Sequence, residues 1–222
     1  MPDRRQFLGT LAAASLGASV TPLAASANEI SETTSMQQPP EKWDLTWLDK
    51  LNGKHKQVFD MGVLNGDFSP FLPIRNWYSA HRDVFGMESP QLSAIAGVHG
   101  SSFPANALDA MWAKYPIGEL WKINDPKTGK PATRNLFADP SPTSTGYDYS
   151  VPVLQRRGLT VWQCNNALLG ASARIASAVK AQATDVYKEL RGSGLLPGVI
   201  VVPAHVMLIG LAQDHGFRYE SL

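Results

Sequence analysis

The chain contains only one cysteine, Cys164, among 222 residues, and this scarcity excludes several kinds of protein. One thiol cannot form an intramolecular disulfide, so a small domain held together by disulfides is excluded. Nor can one thiol supply the paired cysteines of a zinc finger or a C-x-x-C redox motif. A lone thiol is buried and inert, paired between two chains, or used for chemistry.

An excess of charge of either sign is also missing. Lysine and arginine number 20 and aspartate and glutamate 19, which gives a formal net charge of +1. Because proteins that bind nucleic acid carry a basic surface, we expect no nucleic-acid partner. No apolar stretch reaches the roughly 20 residues that a membrane-spanning helix needs, so we also expect no membrane partner for the mature chain.

The first 27 residues are typical of an export signal. Arg4 and Arg5 precede an apolar stretch rich in alanine and glycine, and Ala25-Ser26-Ala27 offers a cleavage site. The paired arginines resemble a bacterial twin-arginine signal, with an ordinary secretory signal as the alternative. We therefore predict a signal peptide over 1–27, a periplasmic location, and a flexible lead-in over 28–53.

From residue 54 onward, short apolar runs alternate with stretches of helical periodicity. Helical spacing predicts, among others, one long helix over 167–190. Because strands that alternate with helices pair in parallel, we predict an α/β protein, a three-layer α/β/α sandwich with a mainly parallel five-stranded sheet. A single domain would cover 54–222. The predicted strands are Lys56–Met61, Leu92–Val98, Leu159–Gln163, Val199–Val202 and Phe217–Tyr219.

Residues 116–150 interrupt this alternation. The segment is long and rich in proline, glycine, aspartate, serine and threonine. Loops of such length in a compact domain are usually functional or disordered. We interpret the segment as an insertion that could cover a site.

Polar and reactive residues follow the ends of four predicted strands, where ligands bind in open parallel sheets. A cysteine just before a helix lies near unpaired N–H groups and the positive end of the helix dipole, which favour the thiolate. A buried structural thiol and asparagines that only cap a helix remain open as alternatives. The residues are Asp60, His99 with Gly100, Cys164 with Asn165 and Asn166, and His205.

The same residues offer a weaker case for a metal. Two histidines together with Cys164 and Asp60 could surround an ion, but they are scattered singly along the chain. The paired spacing of a typical zinc site is missing. We therefore predict no metal and no cofactor.

Three segments resemble the DsrE/DsrF-like (intracellular sulfur oxidation protein-like) family. They are LQRRGLTVWQCNNAL at 154–168, LPGVIVVP at 196–203 and QDHGFRY at 213–219, and the His99-Gly100 pair also matches a family segment. The resemblance covers most of 54–222. It implies the same parallel five-stranded fold, assembled as a homo-oligomer, a trimer or hexamer.

The resemblance also implies a chemistry. In sulfur-oxidation members, a cysteine at this strand exit carries sulfur as a persulfide, and the matching residue here is Cys164. We therefore expect an exported sulfur carrier or transferase that acts on a small sulfur-containing ligand, with His99 and His205 tuning the thiol. Asp60, Gly100 and the asparagines 165 and 166 would bind the ligand. The alternative is a non-catalytic module of the same fold that binds a small ligand or a metal, so an enzymatic role is not assigned.

Overall fold

The computed structural model describes residues 42–64, 70–138 and 147–222. The predicted signal over 1–27 lies outside the described residues, as does most of the predicted lead-in. The strands are β1 (His55–Met61), β2 (Leu92–Val98), β3 (Leu159–Cys164), β4 (Val199–Val202) and β5 (Arg218–Ser221). The helices are α1 (Leu72–Phe85), α2 (Asp109–Lys114), α3 (Ile117–Leu120), α4 (Val151–Arg156), α5 (Asn165–Val179), α6 (Ala183–Ser193) and α7 (His205–Asp214).

The strands form one five-stranded sheet in the order β4-β3-β2-β1-β5, and every pairing is parallel. The central strand β2 is buried along its whole length. Burial of both its faces explains why it is a continuous run of small and apolar residues without alternation. The predicted three-layer α/β sandwich with a parallel five-stranded sheet is confirmed.

The order of the strands determines which face each helix covers. From β1 to β4 the chain moves one strand at a time in one direction, whereas from β4 to β5 it returns across the whole sheet. Because crossovers between parallel strands are right-handed, the returning connection must lie on the opposite face. The helix in that connection is α7, which therefore covers the sheet from the other side.

Two hydrophobic clusters correspond to these two faces. The larger one joins the sheet to helices α1, α2, α5 and α6. The smaller one joins the other face to α7, and its buried members are Leu48, Val58, Ile95, Trp162, Val202, Leu208, Ala212 and Phe217. Within the described part of the chain, no helix is both long and apolar enough to cross a bilayer.

One prediction about local structure is wrong. The long helix over 167–190 is two helices, because Lys180 adopts a left-handed conformation at φ 55° and ends α5. The backbone N–H of Ala181 then bonds to the carbonyl of Ala176, a common way to end a helix. Within the predicted lead-in, a 3-10 turn at Leu48–Lys50 packs Leu48 into the smaller cluster.

The described part of the 116–150 segment packs on the larger cluster. Ile117, Ile123, Ala132 and Phe137 are buried there. The side chain of Asn135 donates to the carbonyls of Ala105 and Ala107 and so attaches the segment to the core. This part of the segment therefore belongs to the face opposite α7, and residues 139–146 lie outside the described residues.

Candidate functional site

The carboxyl edge of the sheet brings together residues that are distant in sequence. Asp60 on β1 lies in register with Gly97 on β2, and Gly97 with Trp162 on β3. In parallel strands, residues in register point to the same face, so the side chains of Asp60 and Trp162 share the face that α7 covers. The first residue of α7, His205, meets them there.

Gly97 makes this close approach possible. A Cβ atom at position 97 would lie 2.8 Å from Cζ2 of Trp162 and 2.9 Å from Cε1 of His205. Real Cβ atoms do not approach other atoms so closely. The missing side chain is therefore what lets the indole and the imidazole lie side by side above β2.

Asp60 is the centre of the cluster. Its Oδ1 lies 2.7 Å from Nε2 of His99, and its Oδ2 accepts a hydrogen bond of 2.7 Å from the hydroxyl of Tyr219. Burial by itself would raise the pKa of Asp60, but the Tyr219 hydroxyl and the two histidines outweigh burial and lower that pKa below its usual range. Asp60 is thus ionised near neutral pH.

His205 is the most enclosed member of the cluster, with only 5% of its side chain exposed. Its Nδ1 accepts a hydrogen bond of 3.1 Å from the indole N–H of Trp162. Burial, together with the neighbouring His99 ring, lowers the pKa of His205 from 6.5 to about 4, against the opposing attraction of Asp60. His205 is therefore a neutral imidazole near neutral pH.

The second ring nitrogen of His205 points at Asp60. Nε2 lies 3.0 Å from Oδ1, which is within ion-pair distance. The contact is not aligned as a hydrogen bond, and among the described residues this buried Nε2 has no hydrogen-bond partner. The rings of His99 and His205 stack with centroids 3.7 Å apart. The ligand atoms of Asp60, His99 and His205 all lie within 4.8 Å of one another, as in a candidate metal site.

A cleft of about 390 Å³ opens beside the cluster. Its lining combines polar groups with an apolar wall: Asp60, His205, Val206, Ile209, Gln213 and Tyr219. Among these described residues there is one carboxylate and no lysine or arginine. None of them comes from the 116–150 segment.

Cys164 lies under the beginning of α7 and does not line the cleft. Its side chain is largely enclosed, with 5% of the residue exposed, and its Sγ accepts the backbone N–H of His205 at 3.4 Å. Cys164 also directly precedes α5. The N-termini of α5 and α7 thus both lie near the sulfur.

The other predicted site residues are placed differently. Asn165 is buried, and its Oδ1 accepts from the Tyr187 hydroxyl at 2.6 Å and from Arg191 at 3.0 Å, so it ties α5 to α6. Asn166 is exposed. Gly100 has φ 55°, and a Cβ there would lie 2.7 Å from the carbonyl oxygen of Gly62. These contacts indicate structural roles for Asn165 and Gly100.

Two members of the cluster were not predicted as site residues. The sequence contains no signal for Trp162, because it does not show where the indole N–H points. Tyr219 lies on β5, and it reaches Asp60 only because β5 pairs with β1. Knowledge of the strand order would have identified Tyr219, since that order places it at the same edge as Asp60.

Comparison with known proteins gives little further information. No family model matches the chain, and no curated protein matches it. Among solved structures, it is similar to a protein of unknown function, MTH1491, from Methanobacterium thermoautotrophicum. The identity is 16%, the match covers 76% of this chain and 99% of that one, and the TM-score is 0.39.

Proposed function

We propose that the protein binds a small, neutral or positively charged organic molecule in the cleft beside Asp60. The observation that carries this proposal is the convergence of Asp60, His99, His205 and Tyr219 at the carboxyl edge of a parallel sheet, next to that cleft. Such edges are where ligands bind in open α/β folds. The proposal corresponds to the small-ligand module that the sequence left as an alternative.

The charge of the lining favours a cation or a neutral donor over an anion. Asp60 is ionised, His205 is neutral, and the described lining offers no basic side chain. An anion would therefore lose its hydration without gaining a countercharge. A carboxylate has about four lone-pair positions, so Asp60 can accept another hydrogen bond beside those it already receives.

The apolar side chains that line the cleft favour a ligand with an apolar portion. Val206 and Ile209 lie on α7, and 81% of Val206 is exposed. Covering such a side chain contributes about 25 cal/mol per Å² of apolar surface removed from water. A ligand with a polar head near Asp60 and a small apolar body along α7 would use both parts of the cleft.

Three probes of similar size and different charge test this proposal. Benzylamine, benzamide and benzoate share one aromatic ring and carry a positive, a neutral and a negative head group. Amide shifts of the full chain would be followed as each probe is added up to about 10 mM, the range of weak fragment binding. We expect benzylamine and benzamide to shift the amides of Val206, Ile209 and Gln213.

Benzoate should leave these amides unchanged. Asp60→Asn should remove the preference for benzylamine, whereas Asp185→Asn, which removes an exposed charge on α6, should not. Equal binding of benzoate in the cleft, or no shift with any of the three probes, would refute the proposal.

Sulfur transfer at Cys164 is the second candidate, and one observation favours it. The sulfur accepts a backbone N–H at the start of α7 and directly precedes α5, so a thiolate or persulfide anion would lie near two positive helix ends. The thiolate would attack the terminal sulfur of a polysulfide, form a new S–S bond, and release a polysulfide shorter by one sulfur. The low exposure of Cys164 makes this the weaker proposal.

Intact mass spectrometry tests this second candidate. After incubation with polysulfide, the protein should gain the mass of one sulfur atom, and Cys164→Ser should not. An unmodified wild-type protein, or an equal gain in the serine variant, would exclude sulfur transfer at this residue. Export to the periplasm, assembly as a trimer or hexamer, and kinship with DsrE/DsrF-like proteins stay predictions from the sequence.

A further inference from the structure

The Trp162–His205 hydrogen bond determines where His205 carries its proton. An indole N–H is a donor and has no acceptor capacity. Because Trp162 donates to Nδ1 of His205 at 3.1 Å, that nitrogen must present its lone pair. A neutral imidazole has one N–H, so the proton of His205 lies on Nε2, the nitrogen directed at Asp60.

We propose that Trp162 fixes His205 as the neutral imidazole protonated at Nε2. The cluster of Asp60, His99 and His205 then offers a hydrogen-bond donor to a ligand and does not bind a divalent metal ion.

By residue type alone, this cluster is a set of metal ligands. Two histidines and one carboxylate converge with their ligand atoms within 4.8 Å of one another. A histidine that binds a metal must present a lone pair to the ion, and it usually donates its other N–H to an acceptor. Here the other nitrogen faces the N–H of Trp162, which cannot accept a hydrogen bond. Metal binding through Nε2 of His205 would therefore require the loss of this buried hydrogen bond.

The indole has little freedom to turn away. Trp162 is fully buried, and its ring meets the ring of Trp47 edge-on at 6.3 Å. On another side it lies directly over Gly97, where even one added carbon would collide with it. Because close-packed interiors resist such rearrangements, the geometry that sets the tautomer of His205 is rigid.

The fixed proton also refines the class of ligand, and this step rests on the proposed function. The buried Nε2–H of His205 faces Oδ1 of Asp60 at 3.0 Å, but the two groups are not aligned for a good hydrogen bond, so both can still bond to a ligand. A ligand group that both accepts and donates, such as a hydroxyl or a primary amide, would satisfy both at once. A buried donor without a well-aligned acceptor is unfavourable, so the site gains when a ligand pairs it.

Nitrogen NMR of the wild-type chain tests the tautomer directly. Long-range proton–nitrogen spectra distinguish protonated from unprotonated ring nitrogens, and His205→Gln identifies the signals of His205 among the five histidines. We expect Nε2 to be protonated and Nδ1 unprotonated near neutral pH. A proton on Nδ1 would overturn the proposal, and this measurement does not depend on whether any substituted protein folds.

Zinc titration tests the consequence for metals. Any zinc binding by the wild-type chain at this cluster should be weak, whereas Trp162→Phe should free Nδ1 to carry the proton and increase zinc affinity at least about tenfold. Asp60→Asn in the Trp162→Phe background should remove that gain. One equivalent of zinc bound by the wild type and lost in Asp60→Asn would overturn the proposal. So would a folded Trp162→Phe protein with the proton on Nδ1 and no gain in affinity. These results are independent of the benzylamine titration.

Discussion

His205 should make the stability of the protein depend on pH in the mildly acidic range. Its pKa falls from 6.5 in the unfolded chain to about 4 in the folded protein, mainly because it is buried. At a pH below this ordinary pKa, His205 is therefore protonated in the unfolded chain but stays neutral in the folded protein. Stability must then fall as the pH decreases through this window, since the unfolded state binds more protons.

The magnitude follows from the two pKa values. Between about pH 7 and about pH 5, this histidine should reduce the free energy of unfolding by about 2 kcal/mol. The lowered pKa of Asp60 acts in the same direction, but only at lower pH, near the ordinary range of carboxylates. The mildly acidic window therefore separates His205 from Asp60, although His55, whose pKa is lowered, and His215, whose pKa is raised, also titrate there.

Urea unfolding at several pH values measures this effect in the wild type and in His205→Gln. The glutamine variant should lose stability by about 2 kcal/mol less than the wild type over the same window. His215→Gln is the control of opposite sign. The pKa of the half-buried His215 is raised by its bonds to the Leu211 carbonyl and Asp49, so removing His215 should slightly steepen the loss of stability on acidification. A wild-type pH dependence unchanged in His205→Gln would refute the account of His205 as a buried neutral imidazole.

Three further substitutions test the surroundings of the cluster. Gly97→Ala should destabilise the protein by about 1 to 3 kcal/mol in thermal unfolding, because the new Cβ would collide with Trp162 and His205. Gly170→Ala, on the open surface of α5, is the control and should stabilise the protein by about 1 kcal/mol. Tyr219→Phe should raise the pKa of Asp60, as measured by carboxyl carbon NMR, because it removes a hydrogen bond to Oδ2; an unchanged pKa would contradict this role. Asn165→Ala should lower the free energy of unfolding by about 1 to 3 kcal/mol without affecting probe binding. Asn166→Ala, at an exposed position, should lower it by less than about 0.5 kcal/mol. Equal effects of the two substitutions would exclude a structural role for Asn165.

The layers of the fold could be predicted from the sequence because four of the five strands contain a short apolar run followed by a polar residue or a turn, whereas the edge strand β5 is polar and exposed. The break between α5 and α6 could not, since no glycine or proline marks it and Lys180 itself takes the left-handed conformation. The packing of 42–53 could have been predicted from the apolar spacing of Leu45, Leu48 and Leu51, which place one face on the smaller cluster.

The cluster itself could be predicted in part. Asp60, His99 and His205 follow strand ends, and parallel pairing alone brings such residues to one edge. Their mutual contact further requires that α7 return over the face to which Asp60 points, which depends on the strand order. Local patterns do not contain that order. For the same reason, neither the reach of Tyr219 nor the direction of the Trp162 N–H could be predicted.

The central claim is that Asp60 holds the polar head of a small ligand, and calorimetric titration of benzylamine tests it most directly. The account predicts saturable binding by the wild type and binding about fivefold to tenfold weaker in Asp60→Asn, the effect of losing a partly buried charge pair worth roughly 1 kcal/mol. Asp185→Asn should bind as the wild type does. Equal affinity of the wild type and Asp60→Asn for benzylamine would contradict the account.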